Sequence, residues 1–409
     1  MLAKKIARKV LTIVKRNSQN FVASVFSCIG IARFALIRRR NSIRRRNALG
    51  SKETIFSFDQ HQVFFGYYDI QPLHNEGDKV LAHVGRVPLQ SPLPGSGVSV
   101  GWFERLGDDE WNFREIATTP LWCWQLGSRL RWYPDPDSSE IAFNTLNPET
   151  ATPSLAIVDT YGGDAKYLPF TAYDISSDGR HVLTLDFARL QRLRPGYGYA
   201  GIVETDQGTQ APENNGVFLG NVETEEKVCL FSLSELSRIE PHDSMITAEH
   251  YVNHLSFSPS GDRFIFLHLW VNAGKRYSRL FASETAKPSP VLLQNESPVS
   301  HYAWKDDHTV IVFAKIPGTS EQGLMLYDLE SGFSARFAEG LISHDGHPSF
   351  IDHDHLLYDT YPDRYRNQHL LVYDLARSTR REIGSFYRPW KYTGEVRCDL
   401  HPRYSSKHQ

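Results

Sequence analysis

Four segments of the chain, NHLSF, SHYAW, GHPSF and LHPRY, place a histidine three residues before an aromatic anchor, at His254, His301, His347 and His401. Neutral imidazole is a common metal ligand, and its ordinary pKa near ~6.5 also suits it to proton transfer. Two of the four have a further donor beside them. Asp345 stands two residues before His347, the spacing that puts side chains on one face of a strand, and Cys398 stands three before His401. In extended chain a Cys-x-x-His pair faces opposite ways, so both can ligate only where the chain curls. His301, Asp345, His347, Cys398 and His401 thus form a candidate site for a divalent metal. The soft thiolate puts zinc first, with manganese as the alternative. Histidines at strand starts can equally serve to hydrogen-bond a neighbouring turn, and both readings stay open.

The elements that must position these residues repeat. From residue 55 onward, short Val, Ile, Phe, Tyr and Leu runs alternate with Gly, Pro, Asn and Asp, with no long helical periodicity. An apolar anchor, a small polar turn and a second apolar run recur at Ile70, Trp132, Ile175, Phe257, Trp304, Phe350 and Tyr404, spaced 62, 43, 82, 47, 46 and 54 residues apart. That period fits four-stranded antiparallel blades. The fold class is therefore all-β, a seven-bladed β-propeller over residues 51–409, with strands from residues 51–66 completing the truncated last unit. The residues three before the anchors are Tyr67, Arg129, Ala172 and the four histidines. In a propeller these positions line one ring near the axis.

The long excursion after Ile175 holds DFARLQRLRPGYGYAG, residues 186–201, whose Arg194, Tyr197 and Tyr199 could overhang one mouth of the channel. Its arginines could instead pair with acidic groups of the body. Tyr67, Gln125, Arg129, Asn144, Tyr197 and His268 are candidate substrate contacts, polar or aromatic groups suited to sugar hydroxyls and ring faces. The sequence has no phosphate loop, no G-x-S-x-G elbow and no dinucleotide fingerprint, and no nucleic-acid partner is expected.

The formal net charge of −2 hides an asymmetry. Residues 1–50 carry thirteen Lys and Arg and no acid, which leaves 32 basic against 47 acidic residues for the rest. Between the basic clusters lies FVASVFSCIGIARFALI, too short and too interrupted by Arg33 for the ~20 residues of a membrane-spanning helix. RRRNSIRRR follows where a signal-peptide cleavage site would be. Residues 1–50 read as a basic, partly helical, amphipathic arm suited to peripheral contact with an anionic membrane. The expected location is cytoplasmic, peripheral at the inner membrane, with the periplasm as the alternative. Four dispersed cysteines argue against a disulfide framework.

The NHLSFSPSGDRFIFLHLW and GHPSF segments resemble those of the seven-bladed propeller polysaccharide lyases, the oligogalacturonate lyases and more loosely the ulvan lyases. That resemblance implies β-elimination at a uronic acid. A base takes the C5 proton, a cation offsets the carboxylate charge, and an acid assists departure of the C4 oxygen. His254 matches the family's catalytic histidine in the HxxFSP segment, and His301 and His347 match its metal-binding ones. Cys398 with His401 resembles the zinc-binding ends of the ulvan-type enzymes, which pair a His with a Tyr for proton transfer. Gln125 and Asn144 stand where ulvan lyases carry histidines. The expected function is a metal-dependent lyase acting on an acidic polysaccharide or oligosaccharide. His254 would be its base, Tyr199 the proton donor and Arg194 the carboxylate partner. The rival is a non-catalytic propeller that binds glycan or protein in cell-envelope polysaccharide biosynthesis or export.

Overall fold

The structure, a computed structural model, describes residues 53–107 and 110–405. The arm of residues 1–50, with its expected membrane contact, lies outside the described residues. Among the described residues no helix is long and apolar enough to cross a membrane.

Six four-stranded antiparallel sheets follow one another along the chain, at residues 62–119, 131–168, 174–232, 249–294, 299–336 and 348–387. Each is built by hairpins between consecutive strands, as the alternation of apolar runs and polar turns dictates. The molecule is an all-β propeller. The sheets pack face to face through apolar layers. Leu81, Val100 and Trp102 of the first sheet meet Trp132, Ile141 and Phe143 of the second, and Ile311, Phe313 and Leu324 of the fifth meet Leu356, Tyr358 and Leu371 of the sixth. Full burial of each such side chain is worth roughly 1.5–3 kcal/mol.

The count corrects the expectation of seven blades: among the described residues there are six sheets. The chain before the first repeat does not complete a seventh. Its strand, Gln62–Phe64, pairs with Lys79–Gly85 of the first sheet, with Gln62 opposite Gly85 and Phe64 opposite His83. The Phe64 ring stacks on the buried His83 ring at 5.0 Å, which fixes that register. The seventh repeat survives as a single segment. His401 donates its backbone N–H to Asp359 of the sixth sheet at 3.2 Å, Arg403 donates to the Gly66 carbonyl at 3.0 Å, and the Gln71 amide donates to the Tyr404 carbonyl at 3.0 Å. Residues 399–405 therefore link the sixth sheet to the first without a sheet of their own.

Two short helices interrupt the third sheet's surroundings. Helix α1, Phe187–Leu193, starts at Asp186, whose carboxylate accepts from the N–H groups of Ala188 and Arg189 at 2.8 and 3.0 Å. Helix α2, Leu233–Arg238, starts at Ser232 and carries a reciprocal Ser232–Glu235 capping box.

A candidate site at the propeller axis

The ring residues are aimed by backbone irregularities, two of them bulges within the first strands of their sheets. His254 sits on a bulge of strand Glu249–Phe257, where pairing skips from Asn253 to Ser256, and His301 sits on a matching bulge between Val299 and Tyr302. A bulge leaves a residue unpaired and turns its side chain out of the ladder. Arg129, His254 and His401 adopt the left-handed region, at φ of 58°, 53° and 48°. For residues with a Cβ that conformation costs of order 1 kcal/mol, so the surrounding packing must hold it. His347 is positioned differently. Gly346 before it brings the backbone so close to the Asp359 carbonyl that a Cβ would lie 2.1 Å from that oxygen.

The four histidines converge as the repeat spacing requires. Ring centroids lie 4.3 Å apart for His301 and His347, 4.4 Å for His347 and His401, and 6.3 Å for His254 and His301. Tyr67 occupies the middle, 4.9 Å from His401, 5.2 Å from His254, 5.9 Å from His347 and 6.3 Å from His301. It is buried, its hydroxyl has no partner, and burial followed by Tyr197 pushes its pKa well above the ordinary phenol value.

Three of these histidines are tied through Nδ1 to an acceptor. His347 Nδ1 lies 2.9 and 3.0 Å from the two Asp359 oxygens, His301 Nδ1 lies 3.0 Å from Asp345, and His401 Nδ1 lies 3.1 Å from the Gly66 carbonyl. A proton on Nδ1 donates to each acceptor and leaves Nε2 with a free lone pair, an arrangement typical of metal-bound histidines. The Nε2 atoms of His347 and His401 are buried without a partner. Buried polar atoms in that state are uncommon in folded proteins, and where two converge a bound ligand is one way to satisfy them. His347, Asp399 and His401 each offer a ligand atom within 4.8 Å of the others. Burial holds the pKa of His347, His401 and His254 well below the ordinary histidine value, reinforced by His301 for His347 and His254 and by His347 for His401. All three are therefore neutral near pH 7, as ligands and bases must be.

Asp345 does not lie in that three-residue group. Its carboxylate accepts from Ser300 at 2.9 Å and braces His301. Burial alone would raise its pKa, but His301 and Ser300 outweigh burial and lower it. Cys398 is exposed and also outside the group. Asp399, its neighbour, takes the place expected of the thiol, with its oxygens 2.8 Å from Arg388 and from Arg397. The donor set is therefore imidazole and carboxylate, and the softness argument for zinc over manganese no longer applies.

The other expected contacts divide between the mouth and the scaffold. Tyr197 lies at the ring, 5.8 Å from His254 and 6.0 Å from Tyr67, and its hydroxyl accepts from Arg397. Arg194 lies over the Tyr197 ring at 4.7 Å. Tyr199 is turned away: it stacks on Phe187 of α1 at 4.3 Å and accepts from the Asn144 amide at 2.8 Å. Gly198 between them packs so tightly on α1 that a Cβ would lie 2.1 Å from the Phe187 carbonyl, which fixes opposite roles for the two tyrosines. Asn144 also donates to the Ala172 carbonyl, and Gln125 donates to the carbonyls of Glu395 and Arg397. Both are buried scaffold ties. Arg129 is clamped by Asp69 at 3.1 and 2.9 Å and lies 4.5 Å over Tyr173, whose hydroxyl is 3.5 Å from His254 Nδ1. His268 lies away from the ring, bonded to His250 and Arg279.

Asp359, Asp399, Arg397 and Tyr361 are the site residues that sequence reading passes over. Asp399 precedes His401 by two residues, as Asp345 precedes His347, so a repeated D-x-H spacing was there to be read. Tyr361, half exposed, reaches the ring with its centroid 5.8 Å from His347 and 6.1 Å from His301. A cavity of about 480 Å³ between the fourth and fifth sheets, lined by Trp270, Tyr277 and Asn295, touches none of the ring histidines. A smaller one of about 370 Å³ lies on the axis beyond Tyr68 and Tyr302, around Arg131 and Asp174. The convergence of imidazoles with orphaned nitrogens, rather than volume, marks the site.

No protein-family model matches the sequence, and no curated protein matches it either. Similar solved structures include TolB from Acinetobacter baumannii, 15% identical with a TM-score of 0.39 over 76% of this chain and 64% of that one. They also include the β-propeller domain of the Trilobed protease from Pyrococcus furiosus, 12% identical, TM-score 0.43, over 75% and 82%. A third is an oligogalacturonate lyase in complex with manganese, 11% identical, TM-score 0.37, over 73% and 87%. The chain spans less than two thirds of the TolB structure. Likenesses at this level carry no functional argument.

Proposed function

We propose that the protein is a metal-dependent lyase that cleaves a uronic-acid-containing glycan by β-elimination at the axial ring. The carrying observation is the pair of buried, unpartnered Nε2 atoms on His347 and His401 beside the Asp399 carboxylate. These three residues fit a divalent ion in donor chemistry, with Asp359 and the Gly66 carbonyl orienting the two imidazoles and His301 adjoining them. A bound cation would offset the uronate carboxylate and so make the C5 proton more acidic.

The remaining work falls to side chains of the chain itself. Neutral His254 takes the C5 proton. The electron pair forms the C4–C5 double bond as the C4–O bond breaks. The departing oxygen takes a proton from the Tyr197 hydroxyl, in the role expected of Tyr199, and the Arg397 guanidinium offsets the charge left on that phenol. Arg194 faces the substrate carboxylate from above Tyr197. An anionic substrate beside His254 raises its pKa again, which strengthens it as a base once the site is filled.

The test uses the full chain loaded with zinc or manganese, incubated with polygalacturonate and alginate and followed by the ultraviolet absorbance of unsaturated uronate ends. Bound metal that is lost in His347→Ala, together with new unsaturated ends, supports the proposal. Metal-loaded protein that binds these polymers and releases no such ends replaces it with the non-catalytic glycan-binding reading.

A further inference from the structure

Beside the ring, a loop of the sixth sheet and the segment after its last strand hold three aromatic side chains out to solvent: Tyr361 at 37% exposure, Tyr365 at 39% and Trp390 at 52%. Tyr365 adjoins Arg366, whose guanidinium covers Trp390, so these exposed rings are neighbours rather than scattered single residues. The scaffold under them is unusually well fastened. Asp363 caps the turn by accepting from the N–H groups of Tyr365 and Asn367 at 2.8 and 2.9 Å. Arg366 then reaches across to residues 388–392, donating to the carbonyls of Arg388, Pro389 and Tyr392 at 3.1, 3.2 and 3.3 Å. The same guanidinium lies 4.6 Å from the Trp390 ring centre. An exposed indole is thus fixed in place by one arginine rather than left to collapse onto the surface.

Cations outnumber acids around these rings, Asp363 being the acid of the turn itself, 3.6 Å from His369. Arg364 lies 4.6 Å over Tyr365, and Lys391 lies 4.9 Å over Tyr392. Arg366 spends its donors on carbonyl oxygens, while the nearby Asp399 is already paired with Arg388 and Arg397. Rings flanked by cations suit a ligand with apolar C–H faces and carboxylates in alternation, which is the chemistry of an acidic polysaccharide. The surface is also continuous with the axial site, because Tyr361 belongs to both: it is exposed here and its ring lies within 6.1 Å of His301 and His347.

We infer that the ridge of Tyr361, Tyr365 and Trp390 is a platform that stacks further sugar units of an acidic polysaccharide chain and guides the chain into the axial ring. This rests on the reading of the ring as a uronate site and adds to it: the ligand is a polymer, held on the sixth-sheet side.

Affinity electrophoresis of the full chain through gels containing polygalacturonate, alginate or hyaluronan, with neutral dextran as control, tests the platform apart from catalysis. The wild-type protein should be retarded by at least one acidic polymer and not by dextran. Trp390→Ala and Tyr365→Ala, both changes of exposed side chains, should each weaken that retardation by about 10-fold or more, whereas Tyr161→Ala, an exposed ring on the second sheet, should keep it. Absence of retardation in all acidic gels overturns the inference, as does equal retardation of Trp390→Ala and wild type, or equal retardation in dextran. Failure of the ring reading looks different: the polymer would bind through Trp390 while the metal-loaded protein releases no unsaturated ends.

Discussion

Two histidine clusters among the described residues differ in how their ring nitrogens are used. In the fourth sheet, buried Arg279 donates through Nε to His268 Nδ1 at 3.1 Å, and His268 Nε2 lies 2.9 Å from His250 Nδ1. Because arginine only donates, His268 must carry its proton on Nε2, and His250 then passes its own Nε2 proton to the Met245 carbonyl at 3.3 Å. Every ring nitrogen in that relay has a partner. At the axis His347 and His401 are each tied at one nitrogen and left open at the other. Residue type and burial do not separate the two clusters; unspent hydrogen-bonding capacity does. A closed relay serves the fold, and an open ring is available to a ligand.

Substitutions should therefore split cleanly between the clusters. The largest effect is expected from His254→Ala, where loss of the general base lowers turnover on the true uronate substrate by roughly 10³-fold at unchanged melting temperature. A variant that retains more than about a tenth of wild-type turnover would remove His254 from that role. The converse change, His268→Leu, leaves His250 and the Arg279 Nε without partners in a buried setting and should cost about 3 kcal/mol of stability. Its metal content should match wild type, measured on whatever fraction folds. Loss of metal from folded His268→Leu would mean that the two clusters are coupled and the contrast between them is false.

Acid should act on the buried histidines away from the ring next. Burial, with Arg279 adding to it, lowers the His250 pKa to about 4, and burial lowers that of His83, held by Ser128, also to about 4. Both values lie below the unfolded ~6.5, so the unfolded chain binds more protons between pH 6.5 and 4. The stability these histidines contribute is complete above pH 6.5 and is lost as pH falls toward 4, by at most about 3 kcal/mol for fully buried His83. Urea midpoints of chelator-treated protein at pH 7 and pH 4.5 measure it. Equal midpoints would show that the histidines take up protons without cost and that their burial is not maintained in solution.

How much of this could be read from the chain depends on whether local or distant residues decide it. The histidine register was legible because anchor, turn and run lie within some fifteen residues of one another, and the bulges that aim His254 and His301 change the direction of a side chain without moving its place in the repeat. The blade count was not. Whether the last repeat acquires strands depends on the partner of Gln62–Phe64, and that choice is made by the Phe64–His83 stack inside the first sheet. Tyr197 and Tyr199 share a spacing and part company only through their packing on α1. Cys398 drew attention by its type, whereas Asp399 had the more telling position.

The finest test of the contrast is Asp359→Asn. The Asp359 carboxylate is buried and serves two of the three grouped residues at once, accepting from the backbone and Nδ1 of His347 and from the backbone N–H of His401. Burial raises its pKa above the ordinary carboxylate value, against the pull of His401, so its charge is held at some cost; because each oxygen accepts one of those backbone N–H groups, the NH₂ of the amide faces a donor and the variant loses about 1–3 kcal/mol of stability. The amide, however, can present its NH₂ to His347 and move the imidazole proton to Nε2, the nitrogen that must stay bare for a metal. Outer partners of this kind alter metal affinity by roughly 10–100-fold when changed. The measurement is the rise in melting temperature on adding zinc or manganese to chelated protein, which reports affinity for the folded state. A much smaller rise in Asp359→Asn than in wild type is expected, each measured from its own chelated melting temperature, which is lower in the variant. An equal rise in both would show that Asp359 holds only the backbone, and that the open nitrogens of the ring are not ligands.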